Sequence, residues 1–523
     1  MRELRLVPAA LLTWAAVLVT LITRQPWAGL VLVAIAAAAA VRFLGESLTA
    51  TSLAGAGVAT AWLRLLRAPE SFPFSIHASV ASTPTQTRTG GWALQLDVGG
   101  VPVRAFAAEP PPPVGSEVLV TATASANDNP EVSPVVLQLR SIQTLRPPEG
   151  FTAWALQVKE DFRQSCAQIL GPASEGLVPG MVLGDTSAQD TVEKQMYLDT
   201  GLSHLTAVSG SNITILTVAA VLLAKACTLG PRIQVAVAAV TLGVFVAVVG
   251  FEPSVLRASV MGIVGLLAVL GSAQVEPAHG LCVAVIGLLL YDSNLASSFG
   301  FALSVAATAG LVALSPLIYR ALARLPGPDI LKRALAVAIA AELVTMPLVA
   351  AMSGHILLAS IPANLLAAPA VAPVTILGLI GVAWPPVLHL AEPFAWWIAT
   401  VARTLADTPS PDLPVTWTIV LAGWLLWLIH AGHARWLLLG LVFLVPRPGG
   451  PEPAQLGDVL HVSELPPEFE APAGVTAVVV DKPGRPSKRP HVTRGGVPIL
   501  YPNRDGPVTV YVDGTQRAER GHF

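Results

Sequence analysis

From His204 to Ala224 the chain carries no Lys, Arg, Asp or Glu, and the stretch has the length and apolarity of a membrane span. Its first half reads HLTAVSGSNITIL and holds His204, Thr206, Ser209, Ser211, Asn212 and Thr214. At about 100° per residue these positions scatter around the whole helical wheel, so a straight helix would aim several of them at lipid. Ser and Thr can bond back to the i−4 carbonyl, but His204 and Asn212 cannot hide that way. Two arrangements answer the problem. One is a helix broken near Ser209–Gly210 that lines a polar cavity, the setting in which irregular backbone is tolerated at membrane depth. The other is an interhelical contact held by small and polar residues. The cavity is the expectation carried forward.

The rest of the chain has the same solvent in view. It is 53% hydrophobic and 12% charged, against about 25% charged in soluble globular proteins, which predicts a polytopic α-helical membrane protein. A net charge of −2 excludes a globally basic nucleic-acid binder, though not a local basic groove. Cys166, Cys227 and Cys282 are far apart and imply no disulfide framework. Apolar runs at Leu6–Ile22, Trp27–Leu44 and, more weakly, Leu53–Leu66 show no clean cleavage site and read as retained helices of an N-terminal block, 1–68. Further spans start near 201, 232, 254, 278, 294, 334, 356, 384, 415 and 436, in a transmembrane block 201–446, for about eleven to thirteen membrane segments in all. Arg2 and Arg5 put the N-terminus inside. The span from 201 then returns inward to Lys225 and Arg232, and the span from 294 lands inward on Arg320, Arg324, Lys332 and Arg333. The outward turn Gly250–Pro253 has no basic residue.

Residues 69–147 change period. Phe72, Phe74, Ile76 and Val80 share one face; Trp92, Leu94, Leu96 and Val98 alternate up to Gly99–Gly100, a two-residue hairpin signal. With EVLVTATA and PVVLQLRSI this makes five short strands, which suit a small extracytoplasmic barrel such as an OB-fold. A fragment of a β-sandwich has the same periodicity. In 150–200, Phe151, Trp154, Val158, Phe162 and Ile169 recur at helical spacing, as in an amphipathic helix on the membrane surface or one packed on the β domain. Residues 447–523 form a polar, Pro-rich tail with strand-like pieces.

Three more groups sit where lipid would penalise them. Arg257 lies one turn into a span, either as a functional group or snorkelling to the outer headgroups. Glu342 is mid-span and needs a partner or water, Arg257 being one possibility. Asn364 stands with Pro362, Pro369 and Pro373 in IPANLLAAPAVAP, a run suited to a kinked or re-entrant element. No GxxxxGK[ST], GxSxG or HExxH occurs, and the His430/His433 pair reads as interfacial. No catalytic, metal or cofactor site is expected.

The run LVPGMVLGDTSAQDTVEKQMYLDTGLSHLTAVSGSNITIL (177–216) resembles the ComEC competence family of bacterial DNA-uptake channels, chiefly in LGD (183–185) and TGLSHLTAVSG (200–210). PSVLRASVMG (253–262), the region 289–311 and IPANLLAAPAVAP (361–373) follow in the family's order. A Leu-His pair often follows the Ser-Gly in that family; Ser211–Asn212 stand here, so no role resting on a histidine there carries over. The resemblance implies a multi-pass protein of the bacterial inner membrane that passes single-stranded DNA, with a path through His204, Ser209, Gly210, Ser211, Asn212, Arg257, Glu342 and Asn364. It implies an external OB domain, where Arg88, Trp92, Arg104 and Phe106 are candidates for DNA contact; barrel core is the competing role of Trp92 and Phe106. Residues 447–523 hold no HxHxDH, so the form implied lacks the family's metallo-β-lactamase-like domain. Its partners would be the bilayer, a DNA receptor outside, an ATP-driven helicase or translocase inside and a separate nuclease. A transporter of a small solute or lipid-linked precursor, and a scaffold for a nuclease, are the other classes.

Overall fold

The computed structural model describes residues 6–43, 48–69, 72–73, 75–87, 91–206, 208, 210–270, 276–323, 326–354, 356–408 and 414–431, with parts of 458–518. Three helices open the chain: α1 (Val7–Thr23), α2 (Pro26–Phe43) and α3 (Leu48–Arg67). The barrel strands are β1 (Ser75–Val80), β2 (Thr85–Gln86), β3 (Trp92–Val98), β4 (Val101–Ala107), β5 (Glu117–Ala126) and β6 (Val135–Arg146). Then come α4 (Gly150–Ile169), α5 (Leu177–Leu183), α6 (Thr191–Asp199), α7 (Gly210–Ala226), α8 (Pro231–Val249), α9 (Pro253–Leu270) and α10 (Pro277–Tyr291). They are followed by α11 (Phe299–Ala313), α12 (Ser315–Leu322), α13 (Asp329–Ser353), α14 (Ser360–Ala383), α15 (Leu388–Leu405) and α16 (Val415–His430). Prolines begin α2, α8, α9 and α10, where a missing N–H costs nothing because the first helical amides have no intrahelical partner.

Among the described residues three helices, α8, α13 and α14, are long and apolar enough to cross a membrane, or four spans if α11 and α12, bent by 46°, count as one. Shorter apolar helices include α1, α10 and parts of α2, α7, α9 and α16. Helix α15, where a span was expected from 384, carries Glu392 and Arg403 and is not among them. The segment expected to cross from 436 lies outside the described residues.

Five of these six strands close into a barrel, with β2 added at the edge of β3. β1 pairs with β5, β5 with β6, β6 with β4 and β4 with β3, and the pairing of β3 with β1 completes the barrel; only β4–β6 is parallel. Closure excludes the open sandwich fragment. Leu94, Leu96, Val103, Ala105, Val118, Val120 and Leu137 fill its interior. Gly99 and Gly100 both have positive φ, 63° and 84°, as a two-residue turn between twisted strands requires.

The helix α4 buries Ala155, Phe162 and Cys166 in the largest apolar cluster, shared with α5, α8, α9, α14 and α15. Phe151 and Trp154 stay exposed with ring centroids 5.0 Å apart. All seven residues of α5 are buried, so it is a core wedge rather than a surface element. Gly180 lets it approach the next segment: a Cβ there would lie 2.9 Å from the Thr206 carbonyl oxygen. In the C-terminal stretch β7 (Asp458–Val462), β8 (Val475–Val480), β9 (His491–Val492) and β10 (Pro498–Leu500) form a sheet ordered β7-β8-β10-β9.

Close helix contact gives a stability prediction. A Cβ on Gly310 would stand 2.6 Å from Val344 Cγ2 and 2.7 Å from the Ala340 carbonyl oxygen, where α11 meets α13. Gly310→Ala should destabilise the protein by about 1–3 kcal/mol, as overpacking does. Gly287→Ala, on an α10 face with nothing within 4 Å, should leave the melting temperature unchanged.

Candidate polar passage in the helical domain

The regular helix of the opening sequence motif starts only at Gly210. Ahead of it a single 3₁₀ turn, Ser203–Leu205, follows the left-handed residue Gly201 (φ +66°). The polar residues His204 and Thr206 therefore stand on non-α backbone rather than around one helix. The His204 ring donates from Nδ1 to the Gly201 carbonyl at 3.0 Å, a carbonyl being able only to accept. His204 is exposed, although its neighbours Leu202 and Val208 are buried.

Gly201 touches the start of α14. A Cβ on it would lie 2.6 Å from Ser360 Oγ. Ser360 is buried and donates to Glu342 Oε2 at 2.5 Å, from α14 to mid-α13. Asn364, one turn further on, donates to the Ser360 carbonyl at 2.9 Å and to its Oγ at 3.3 Å. Glu342 and Asn364 are half-buried. Two helices and a turn, each otherwise apolar, thus direct a carboxylate, a carboxamide and, through Gly201, an imidazole towards one locality.

Arg257 lies elsewhere. It is buried, donating from Nε to Ser304 Oγ on α11 at 2.7 Å and from Nη1 to Met261 Sδ at 3.3 Å. Among the described residues no ion pair joins it to Glu342, so the pairing considered from sequence is replaced by two separate hydroxyl contacts. Its guanidinium faces the first turn of α7: a Cβ on Gly210 would be 3.4 Å from Arg257 Nη2 and 3.2 Å from Ala258 Cβ. Asn212 is 2% exposed and donates to the Met181 carbonyl at 2.5 Å, near the end of α5. It holds the wedge to α7. Ser209 lies outside the described residues, and Ser211 is placed only as part of the first turn of α7.

The turn is entered through α6, capped by the Asp190 carboxylate accepting from the Glu193 amide. Glu193 packs against Gly176, and burial, with Asp190 and Glu175 nearby, pushes its carboxyl up to about 7. The folded chain then keeps a proton that the unfolded chain releases near pH 4.3. The stability this gives is present at low pH and is lost as pH rises towards 7. The melting temperature should fall between about pH 5 and pH 7.5, and Glu193→Gln should flatten that slope.

On the barrel, Arg104 is on the outer face of β4 and pairs with Glu131; Phe106 shares that face, opposite Ala93. Trp92 pairs with Ala107 and packs on the interior cluster with Leu94. Trp92 and Phe106 are thus on opposite faces of the hairpin and form no joint stacking surface, because strand positions of opposite parity face opposite ways. Arg88 lies outside the described residues. Ser360, Ser304 and Gly201 went unread in the sequence: a serine at a helix start and a glycine in a turn carry no signal of what they touch. Among the described residues no group of three or more His, Cys, Asp or Glu could hold a metal ion.

Residues 181–440 match the family profile described as Competence protein. The chain belongs to the ComEC competence family. The matched stretch runs from within α5 past α16 and contains the His204 turn, Arg257, Glu342 and Asn364; the barrel lies ahead of it. The competence protein is 27% identical over 229 residues to ComE operon protein 3 of Bacillus subtilis (strain 168), an alignment covering 44% of this chain and 29% of that one. No solved structure matches.

Proposed function

We propose that this competence protein is the multi-pass channel of a bacterial inner membrane that passes single-stranded DNA inward, and that it is not itself an enzyme. The observation that carries this reading is the group formed by half-buried Glu342 and Asn364 with buried Ser360 in an otherwise apolar helical domain, the turn that bears His204 touching it through Gly201. A strand crossing the bilayer needs polar groups that replace the hydration of its backbone without gripping it. An imidazole, a carboxamide and hydroxyls satisfy that demand, whereas a lining dense in Lys and Arg would hold phosphates. Glu342 repels phosphate and keeps contact brief.

The sidedness derived from charge supports the reading. Arg24 at the end of α1, Arg64 near the end of α3 and Asn294 just after α10 all bond towards one region, Arg24 to the Glu131 carbonyl and Asn294 to the Val132 amide of the barrel. Those are the ends that the basic-loop count places outside. The barrel order, β1-β3-β4-β6-β5 and back to β1 with one parallel pair, supports the OB-fold reading, and in OB-folds the second and third strands bind oligonucleotides. A receptor outside would deliver DNA, a separate nuclease would supply one strand, and an ATP-driven translocase inside would pull it.

Topology has a direct test. Cys227 is exposed beside Lys225, on the side read as cytoplasmic, while Cys166 and Cys282 are buried. A membrane-impermeant maleimide should leave intact cells unlabelled and should label Cys227 in inverted vesicles. Labelling of Cys227 on intact cells would reverse the orientation and remove the external barrel. The DNA reading itself is tested by uptake in a transformable host, as set out at the end of the Discussion.

A further inference from the structure

Residue 131 is held by more groups than a loop position needs. Its carboxylate receives Arg104 Nη2 on Oε1 and Asn127 Nδ2 on Oε2, the latter at 3.0 Å. Its carbonyl receives Arg24 Nη2 at 3.1 Å. Arg104 comes from the outer face of the barrel and Arg24 from the left-handed end of α1, so two guanidinium groups from different domains converge on one residue. The loop is itself pinned to the helical domain by the Val132 amide donating to Asn294 Oδ1 at 2.7 Å.

Beneath this loop the barrel and the helices leave an open groove of about 510 Å³, lined by Arg24, Leu65, Phe72, Ser125 and Val135 among others. The groove lies where the barrel meets the ends of α1 and α3. Arg104 is 44% exposed and the Glu131 side chain 14%, so the pair lies at the accessible rim. A carboxylate and a phosphodiester present the same chemistry to guanidinium: two acceptor oxygens sharing one negative charge.

We propose that the Glu131 carboxylate is a built-in stand-in for phosphate: it occupies an anion site formed by Arg104 and Asn127, on a loop that Arg24 holds by its carbonyl, until a phosphodiester of the incoming strand displaces it. This rests on the channel reading above and adds the place where the strand is handed from the barrel to the helices. Displacement frees Arg104 and Asn127 for the backbone, and Arg24 and Phe72 then offer a cation and a ring to the next nucleotide. In the absence of DNA the carboxylate discourages other anions. Arg104 keeps solvent access at this rim, so a phosphate can reach its guanidinium and exchange for the carboxylate.

The test uses the full chain in nanodiscs and a fluorescent oligo-dT, titrated over a range of salt. Glu131→Gln keeps the size and removes the charge; it should bind several-fold tighter than the native chain. Adding Arg104→Gln should abolish that gain and lower the slope of log affinity against log salt by about 1, the share of one phosphate contact. Equal affinity of the native chain and a folded Glu131→Gln would overturn the stand-in while leaving the DNA reading intact. Failure of the native chain to bind oligo-dT at any salt would instead defeat the DNA reading, and this inference with it. Should Glu131→Gln not fold, Arg104→Gln alone decides: a lower affinity and a shallower slope support the site, and native behaviour overturns it.

Discussion

Gly201→Val should remove both folded protein and DNA uptake. Gly201 has φ +66°, a conformation that costs an L-residue about 1–2 kcal/mol and a β-branched one more. The new Cβ would also lie 2.6 Å from Ser360 Oγ and 2.8 Å from its Cβ, an overlap with buried backbone-proximal atoms that adds about 1–3 kcal/mol. Relief requires moving the start of α14, and Ser360 would leave Glu342. Gly201→Ala separates the two effects. It carries the strain and the contact without the β-branch, and should retain some folded protein while losing uptake. Yield of monodisperse protein in detergent, beside transformation frequency, reads both.

Asn212→Leu is the second large effect, and it acts through structure. The Met181 carbonyl is in the last turn of α5, where helix carbonyls find no intrahelical N–H donor, and the Asn212 amide donates to it at 2.5 Å. Leucine leaves that carbonyl buried and unpaired, a penalty of about 1–3 kcal/mol. Asn212→Asp should be no better, since an ionised carboxylate turns an acceptor towards an acceptor. Both variants should lose folded yield, measured by thermal melts in detergent. A stable, uptake-deficient Asn212→Leu would instead place Asn212 on the path of the strand, its role as read from the sequence.

The chain states its organisation openly because lipid and barrel impose simple rules. The uncharged stretches mark apolar helices, the shift to period two at 69–147 marks the strands, and Gly99–Gly100 marks their hairpin. The scatter of polar residues in HLTAVSGSNITIL signals broken helix, and α7 does begin only at Gly210. What remained hidden is non-local. The parallel β4–β6 pairing that closes the barrel leaves no periodic trace. Helix α5 looks like part of a surface region, and only its packing against Thr206 and α14 makes it core. The partner of Glu342 is Ser360, on the next helix, rather than the distant Arg257; composition cannot tell a serine in contact from one at a helix end. Nor can parity-blind counting of aromatics reveal that Trp92 and Phe106 face opposite ways.

If His204, Glu342 and Asn364 border the path of DNA, their loss must show in the strand that reaches the cytoplasm. The measurement that tests it most directly is uptake of labelled DNA by a transformable host whose own channel has been deleted. The host would carry the native chain or a His204→Leu, Asn364→Leu double variant at equal membrane level. These two substitutions remove polar groups without adding bulk at Ser360. The variant should keep label at the surface and lose most of the internalised strand. Native internalisation by a folded, correctly inserted variant would contradict it and move the passage away from this cluster.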